Sequence, residues 1–203
     1  MQFIHKNLTQ GLILLVVLIL VTGCQSLFSG YEYKGTRFDP PVPMPNFELI
    51  DTGGQPFRLE EARGDITLVY FGYTFCPDVC PLTLADVKKA LAELEERDRV
   101  HVVFISVDPE RDTPEVLDRY VHAFDPEFIG LTGDFEKLQA VMKPFGAYAE
   151  KEEAKGSASE YLVNHTARLY LINPQGELLL TYPFGFKPED LQSDLAYILQ
   201  QEG

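Results

Sequence analysis

The chain has 203 residues, 45% of them hydrophobic and 24% charged, an ordinary balance for one globular core with accessory segments. Its 31 acidic and 17 basic side chains leave a formal charge of -14 with no basic cluster, which excludes a protein that grips nucleic acid through phosphate contacts. An acidic surface of this kind first of all favours solubility.

At the N-terminus, Lys6 precedes an apolar run over residues 12–21 that Thr22, Gly23 and Cys24 close. The run is too short to cross a hydrocarbon core, for which a helix needs about 20 residues. Residues 1–23 therefore read as a secretory signal with a processing site. Val21-Thr22-Gly23-Cys24 resembles the bacterial lipobox, in which the cysteine becomes the lipidated N-terminus; by that resemblance Cys24 carries a membrane anchor. An uncleaved signal anchor is the alternative. Both readings place the domain outside the cytoplasm, in a bacterial cell envelope, either periplasmic or on the outer face of the cytoplasmic membrane. Once Cys24 is assigned to lipid, the remaining two of the three cysteines are Cys76 and Cys80, a close pair in an oxidising compartment.

Residues 24–45 are first small and polar, then proline-rich at Pro40, Pro41, Pro43 and Pro45. Such a stretch favours an extended chain without internal hydrogen bonds, and it is expected to tether the domain of residues 46–203; the alternative is that part of it packs along the domain. Residues 47–50 and 56–59 flank Asp51-Thr52-Gly53-Gly54 and predict a β-hairpin. Residues 66–71 are a near-continuous β-branched and aromatic run, as a central strand buried on both faces requires. From Pro81 to Arg97 the spacing of Leu84, Val87, Leu91 and Leu94 predicts an amphipathic helix. A second buried strand spans 101–107. A polar turn and Thr113-Pro114 then open the next helix.

A short strand at 129–131 precedes a helical stripe through Phe135, Leu138, Val141, Met142 and Phe145. The polar stretch 146–159 has weak patterning and is expected to be an exposed loop. Strands 167–172 and 177–182 are joined by Asn173-Pro174-Gln175-Gly176, and a last helix starts at Pro188. The order predicts an α/β domain with a central sheet flanked by helices.

Functional sites of open α/β sheets lie beyond the carboxyl ends of strands, where Cys76 falls. It also stands at the start of a helix, whose partial positive charge and free amides favour a thiolate. In Cys76-Pro77-Asp78-Val79-Cys80 one helical turn brings both sulfurs to one side, able to close a disulfide or to pinch an ion. A purely structural disulfide remains open on spacing alone.

The run Phe71-Gly72-Tyr73-Thr74-Phe75-Cys76-Pro77-Asp78-Val79-Cys80-Pro81 resembles the signature of the Sco/SenC family. The likeness extends to residues 106–114, with Asp108-Pro109-Glu110-Arg111-Asp112-Thr113-Pro114, and to His165 ahead of the strand at Ala167. The resemblance implies a thioredoxin-like fold, a central mixed sheet flanked by helices, with copper held by Cys76, Cys80 and His165. It further implies help in building the dinuclear copper centre of cytochrome c oxidase. The implied partners are the copper-bearing oxidase subunit, a copper donor chaperone, a thiol reductant protein and the membrane through the lipid anchor.

Donor chemistry agrees, since two thiolates suit Cu(I) and an imidazole makes the set tolerable for Cu(II). His5, His101 and His122 are worse placed as ligands. Met44 reads as tether and Met142 as core. Asp78 and Asp108 are candidates for orienting a ligand or touching copper weakly, with helix-start and turn-capping roles as alternatives. The competing function is a membrane-tethered thiol-disulfide oxidoreductase in which Cys76 and Cys80 form the redox-active pair. A thiol peroxidase fits less well, because the expected threonine position holds Tyr73. A structural zinc site lacks a fourth ligand.

Overall fold

The computed structural model describes residues 30–153 and 161–202. Residues 1–23, expected to be a signal, and Cys24 lie outside the described residues. Contacts divide the chain into Met1–Glu32 and Tyr33–Gly203, and the fold below belongs to the second unit. Among the described residues no helix is long and apolar enough to cross a membrane.

The strands are β1 (Thr36–Pro43), β2 (Glu48–Asp51), β3 (Pro56–Arg58), β4 (Ile66–Gly72), β5 (Val100–Ser106) and β6 (Ile129–Thr132). They continue with β7 (Ala149–Glu153), β8 (Tyr161–His165), β9 (Arg168–Ile172) and β10 (Glu177–Pro183). The described residues also form four α-helices, α1 (Val79–Leu91), α2 (Pro114–Phe124), α3 (Phe135–Met142) and α4 (Pro188–Glu202). Eight strands form one mixed sheet in the order β1-β10-β9-β4-β5-β6-β2-β3. This is the thioredoxin-like α/β arrangement that the resemblance implies, with the expected hairpin β2–β3 attached to β6 at one end.

The sequence dictates the centre of this sheet. All seven residues of β4 are buried, and β4 pairs in parallel with β5 and antiparallel with β9. Each apolar side chain so buried contributes roughly 1.5–3 kcal/mol, against backbone ordering costs of about 1–2 kcal/mol per residue. The margin is small, so the strand forms because it is covered on both faces. Helix α1 stops at Leu91, short of the expected Arg97. Acidic residues Glu93, Glu95 and Glu96 follow, where the negative end of the helix dipole disfavours them.

Two elements differ from expectation. Residues 36–43, expected within a flexible tether, form β1 and pair antiparallel with β10 across an irregularity between Arg37 and Val42. The prolines do not prevent this, because an edge strand tolerates residues that lack an amide donor. Met44, also assigned to the tether, is buried in the core and donates its amide to the Gly176 carbonyl at 3.1 Å. Within 146–159, expected as a loop, Ala149–Glu153 is a strand that pairs with β8 as a separate two-stranded sheet. Every β7 residue after Ala149 is exposed, so no apolar alternation announces the strand.

A buried carboxylate bolts the entering chain to the domain. Asp194 on α4 is 0% exposed and accepts from the amides of Lys34 and Gly35, at 3.0 and 2.9 Å, and from the Tyr182 hydroxyl at 2.7 Å. Gly35 is required there, since a Cβ would lie 2.7 Å from the Tyr182 ring. Replacing Asp194 by Ala strands these donors and is expected to cost about 3 kcal/mol in urea unfolding. An unchanged midpoint would show that the latch contributes nothing.

Candidate metal centre

The site is assembled where β4 and β5 end. Gly72 closes β4, and its carbonyl accepts from the Val107 amide at 2.8 Å. A Cβ at Gly72 would stand 2.9 Å from the Phe104 and Tyr70 rings and 3.0 Å from Cys80 Sγ, so only glycine lets the sulfur approach the strand. The turn that follows is fixed by Asp112, itself 1% exposed. Its carboxylate accepts from the Thr74 hydroxyl and the Ser106 hydroxyl, both at 2.6 Å, and from the Thr74 amide at 3.0 Å. Burial pushes the Asp112 carboxyl up, and those hydrogen bonds act against the rise.

Cys76 ends this turn and Cys80 lies in the first turn of α1. The Cys80 amide donates to Cys76 Sγ at 3.4 Å, so the sulfur takes the capping role that the Asp78 side chain does not fill. The two sulfurs are not bonded to each other. They also differ in charge preference. Hydrogen bonding from the Cys80 thiol, above all, holds Cys76 down to about 4; burial opposes this, and His165 and the Asp78 and Cys80 amides add to it. Cys80 is pushed up, first by its complete burial and then by the neighbouring Cys76 sulfur. The reduced pair is therefore one thiolate, 8% exposed, beside one fully buried thiol.

His165 ends β8 and places Nε2 3.4 Å from Cys80 Sγ. Its Nδ1 lies 3.4 Å from the Thr166 carbonyl. Nε2 bearing a proton donates towards the sulfurs in the metal-free protein; with the proton moved to Nδ1, where the Thr166 carbonyl accepts it, the Nε2 lone pair becomes available to a metal. The rings of Tyr73 and Tyr70 meet the imidazole edge-on, with centroids 5.7 and 6.2 Å away. The two sulfurs and an imidazole nitrogen lie within 4.8 Å of one another. One ion can meet all three, and the soft sulfur-nitrogen set fits copper.

The hairpin carrying His165 is clamped at its other end. Tyr161, the first residue of β8, donates its hydroxyl to Asp108 at 2.7 Å, and its carbonyl accepts from Arg111 at 3.0 Å. The Arg111 guanidinium lies 3.7 Å over the Tyr161 ring and also donates to Asp108. Asp108, 0% exposed, thus holds the arginine and tyrosine, and it stands outside the three-donor group. Asp78 is exposed at the start of α1. His101 pairs with Asp65 at 3.0 Å and His122 with Asp118 at 3.2 Å, both away from the sulfurs. Met142 is in the core, and His5 lies outside the described residues. Sequence reasoning did not find Asp112, Thr74, Ser106 or Tyr161. Only the polar cluster at 106–112 signalled that something was being held there.

Residues 37–200 match the sequence profile of the SCO1/SenC family. The chain belongs to that family. Protein SCO2, mitochondrial, of Saccharomyces cerevisiae is 38% identical over 135 residues, which are 66% of this chain and 45% of that protein. The match therefore spans under half of the yeast protein. The crystal structure of Arabidopsis thaliana ScoI with copper bound superposes with a TM-score of 0.72 at 34% identity, over 79% of this chain and 99% of the other. The solution structures of apo Sco1 from Thermus thermophilus give 0.70 at 38% identity, over 85% and 99%.

The charge split between the sulfurs has a direct readout. With the metal-free reduced protein, alkylation by iodoacetamide is expected at Cys76 and to persist as pH falls from 9 towards about 4, because the thiolate survives until then. Cys80 is expected to remain unmodified in the folded state. A pH midpoint at the ordinary thiol value for Cys76 would contradict the geometry.

Proposed function

We propose that this chain is a copper-binding metallochaperone that holds one ion through Cys76, Cys80 and His165 and helps to assemble the dinuclear copper centre of cytochrome c oxidase. The observation that carries the reading is the meeting of two unbonded sulfurs with an imidazole from 85 residues further along the chain. The two sulfurs alone suffice for disulfide chemistry, whereas a third donor, an imidazole nitrogen, serves a metal. Membership of a family with a copper-bound structure supports the choice of copper.

In this reading a thiol reductant keeps Cys76 and Cys80 reduced and a donor chaperone supplies copper. The copper-bearing oxidase subunit receives it. A lipid on Cys24 keeps the protein at the membrane, in the cell envelope. The chain's own residues do three things: Asp112 and Gly72 set the cysteine turn, α1 presents its amides to Cys76, and the clamped hairpin brings in His165. Bound copper would supply ligand exchange between its soft donors and those of the acceptor.

The unequal sulfurs favour a second reading, a thiol-disulfide oxidoreductase. There the Cys76 thiolate attacks a partner disulfide and releases one partner thiolate. The Cys80 thiol, losing its proton, then displaces the second, which leaves a Cys76–Cys80 disulfide and a reduced partner. The two readings part at His165. The reduced full-length chain is expected to take up one equivalent of copper and, as Cu(II), to show thiolate-to-metal charge-transfer absorption. Cys76→Ser or Cys80→Ser should abolish that absorption, and His165→Ala should weaken copper binding at least about tenfold, roughly 1.4 kcal/mol. Undiminished copper affinity in the histidine variant together with altered disulfide exchange would favour the oxidoreductase.

A further inference from the structure

Of the large apolar side chains exposed among the described residues, five stand at the end of the molecule that carries the sulfurs and the imidazole. Phe75 immediately precedes Cys76. Leu82 lies one turn of α1 beyond Asp78, to whose carbonyl its amide donates at 3.3 Å. Phe184 donates its amide to Ala167 at 3.2 Å, and Ala167 lines a depression of about 440 Å³ over Cys76 and His165. Phe135 and Tyr148 line a second hollow, of about 950 Å³, against β7. The β7–β8 hairpin is thus a ridge with a hollow along each strand. Isolated exposed apolar residues mean little, but such a grouping marks a contact surface.

Acidic groups prevail around the two hollows, although the Arg111 guanidinium lies over the Phe75 ring and Lys187 is exposed three residues after Phe184. Asp78 and Glu152, the carboxylates lining the depression over the sulfurs, have no lysine or arginine beside them among the described residues of its lining. In the second hollow Glu110, Asp134 and Glu150 outnumber Lys151. Lys151 is already paired with Glu110, and Asp134 with Lys137. Access imposes a further constraint, because Cys80 is fully buried and Cys76 nearly so. A group that takes an ion from them must enter the depression, so its owner must land on this surface.

We propose that this end of the molecule, with the β7–β8 ridge at its centre, is the docking face for a protein partner that presents apolar side chains within a ring of lysine and arginine. The proposal rests on the copper-delivery reading and deepens it by stating the surface that the recipient must carry. Apolar contact supplies the affinity, and the opposed charges speed and orient the encounter, which makes it salt-sensitive.

The test uses the copper-loaded full-length chain, with the purified copper-receiving domain of the cytochrome c oxidase subunit as probe. Binding should weaken with added salt. Glu150→Lys, and separately the pair Phe135→Ser and Phe184→Ser, should each weaken it at least about tenfold while leaving copper stoichiometry and visible spectrum unchanged. Binding that ignores both salt and these substitutions overturns the proposal. So does self-association through this face, adsorption to phosphatidylglycerol vesicles that the same substitutions abolish, or no binding by a chain that still loads one copper. A chain that loads no copper overturns the copper reading, and the docking proposal with it.

Discussion

The imidazole of His165 reaches the sulfurs because the hairpin that carries it is pinned at the far end of the same strand. Two-stranded hairpins are marginal by themselves in water, and β7 buries almost nothing. What holds β8 is the stack of Arg111 on Tyr161, the bond from Tyr161 to buried Asp108, and the Arg111 bond to the Tyr161 carbonyl. Arg111 and Asp108 sit directly after β5, beside the strand that positions the cysteines. One charged cluster therefore ties the distant histidine to the strands that carry the sulfurs, and the donor set is only as rigid as that tie.

The cysteine side is held by different means. Gly72 leaves room for Cys80 Sγ, and Asp112 fixes the turn through Thr74 and Ser106. The start of α1 then gives Cys76 its amide donors. Burial pushes both thiols up, but at Cys76 the hydrogen bonds, that from the Cys80 thiol first, outweigh it, whereas at the more deeply buried Cys80 it prevails over the bonds from Tyr73 and Tyr70. The result is a thiolate beside a protected thiol, an asymmetry compatible with metal capture and with the alternative of disulfide exchange. The imidazole tips the balance towards the metal.

Local pattern revealed the strands and helices wherever apolar residues repeated with the period of the element, as in β4, β5 and α4. It failed where burial was one-sided or absent. In β1 the prolines suggested a free extended chain, and edge pairing with β10 is invisible in the residues themselves. In β7 the run Glu150-Lys151-Glu152-Glu153 carries no alternation, so its strand depends on the clamp and on pairing with β8. The cysteine pair was legible from spacing and helix position. His165 needed the family resemblance and the topology of the strand at Ala167. The buried polar residues supporting both sides, Asp112 and Tyr161 above all, could not be found from sequence because their partners lie 38 and 53 residues away.

The convergence of two sulfurs and one imidazole on a single copper ion is tested most directly by X-ray absorption at the copper edge of the loaded full-length chain. The expected nearest shell is two sulfurs with one imidazole nitrogen, whose outer-ring scattering disappears in His165→Ala. A shell with one sulfur, or an imidazole contribution that survives the substitution, would contradict the site.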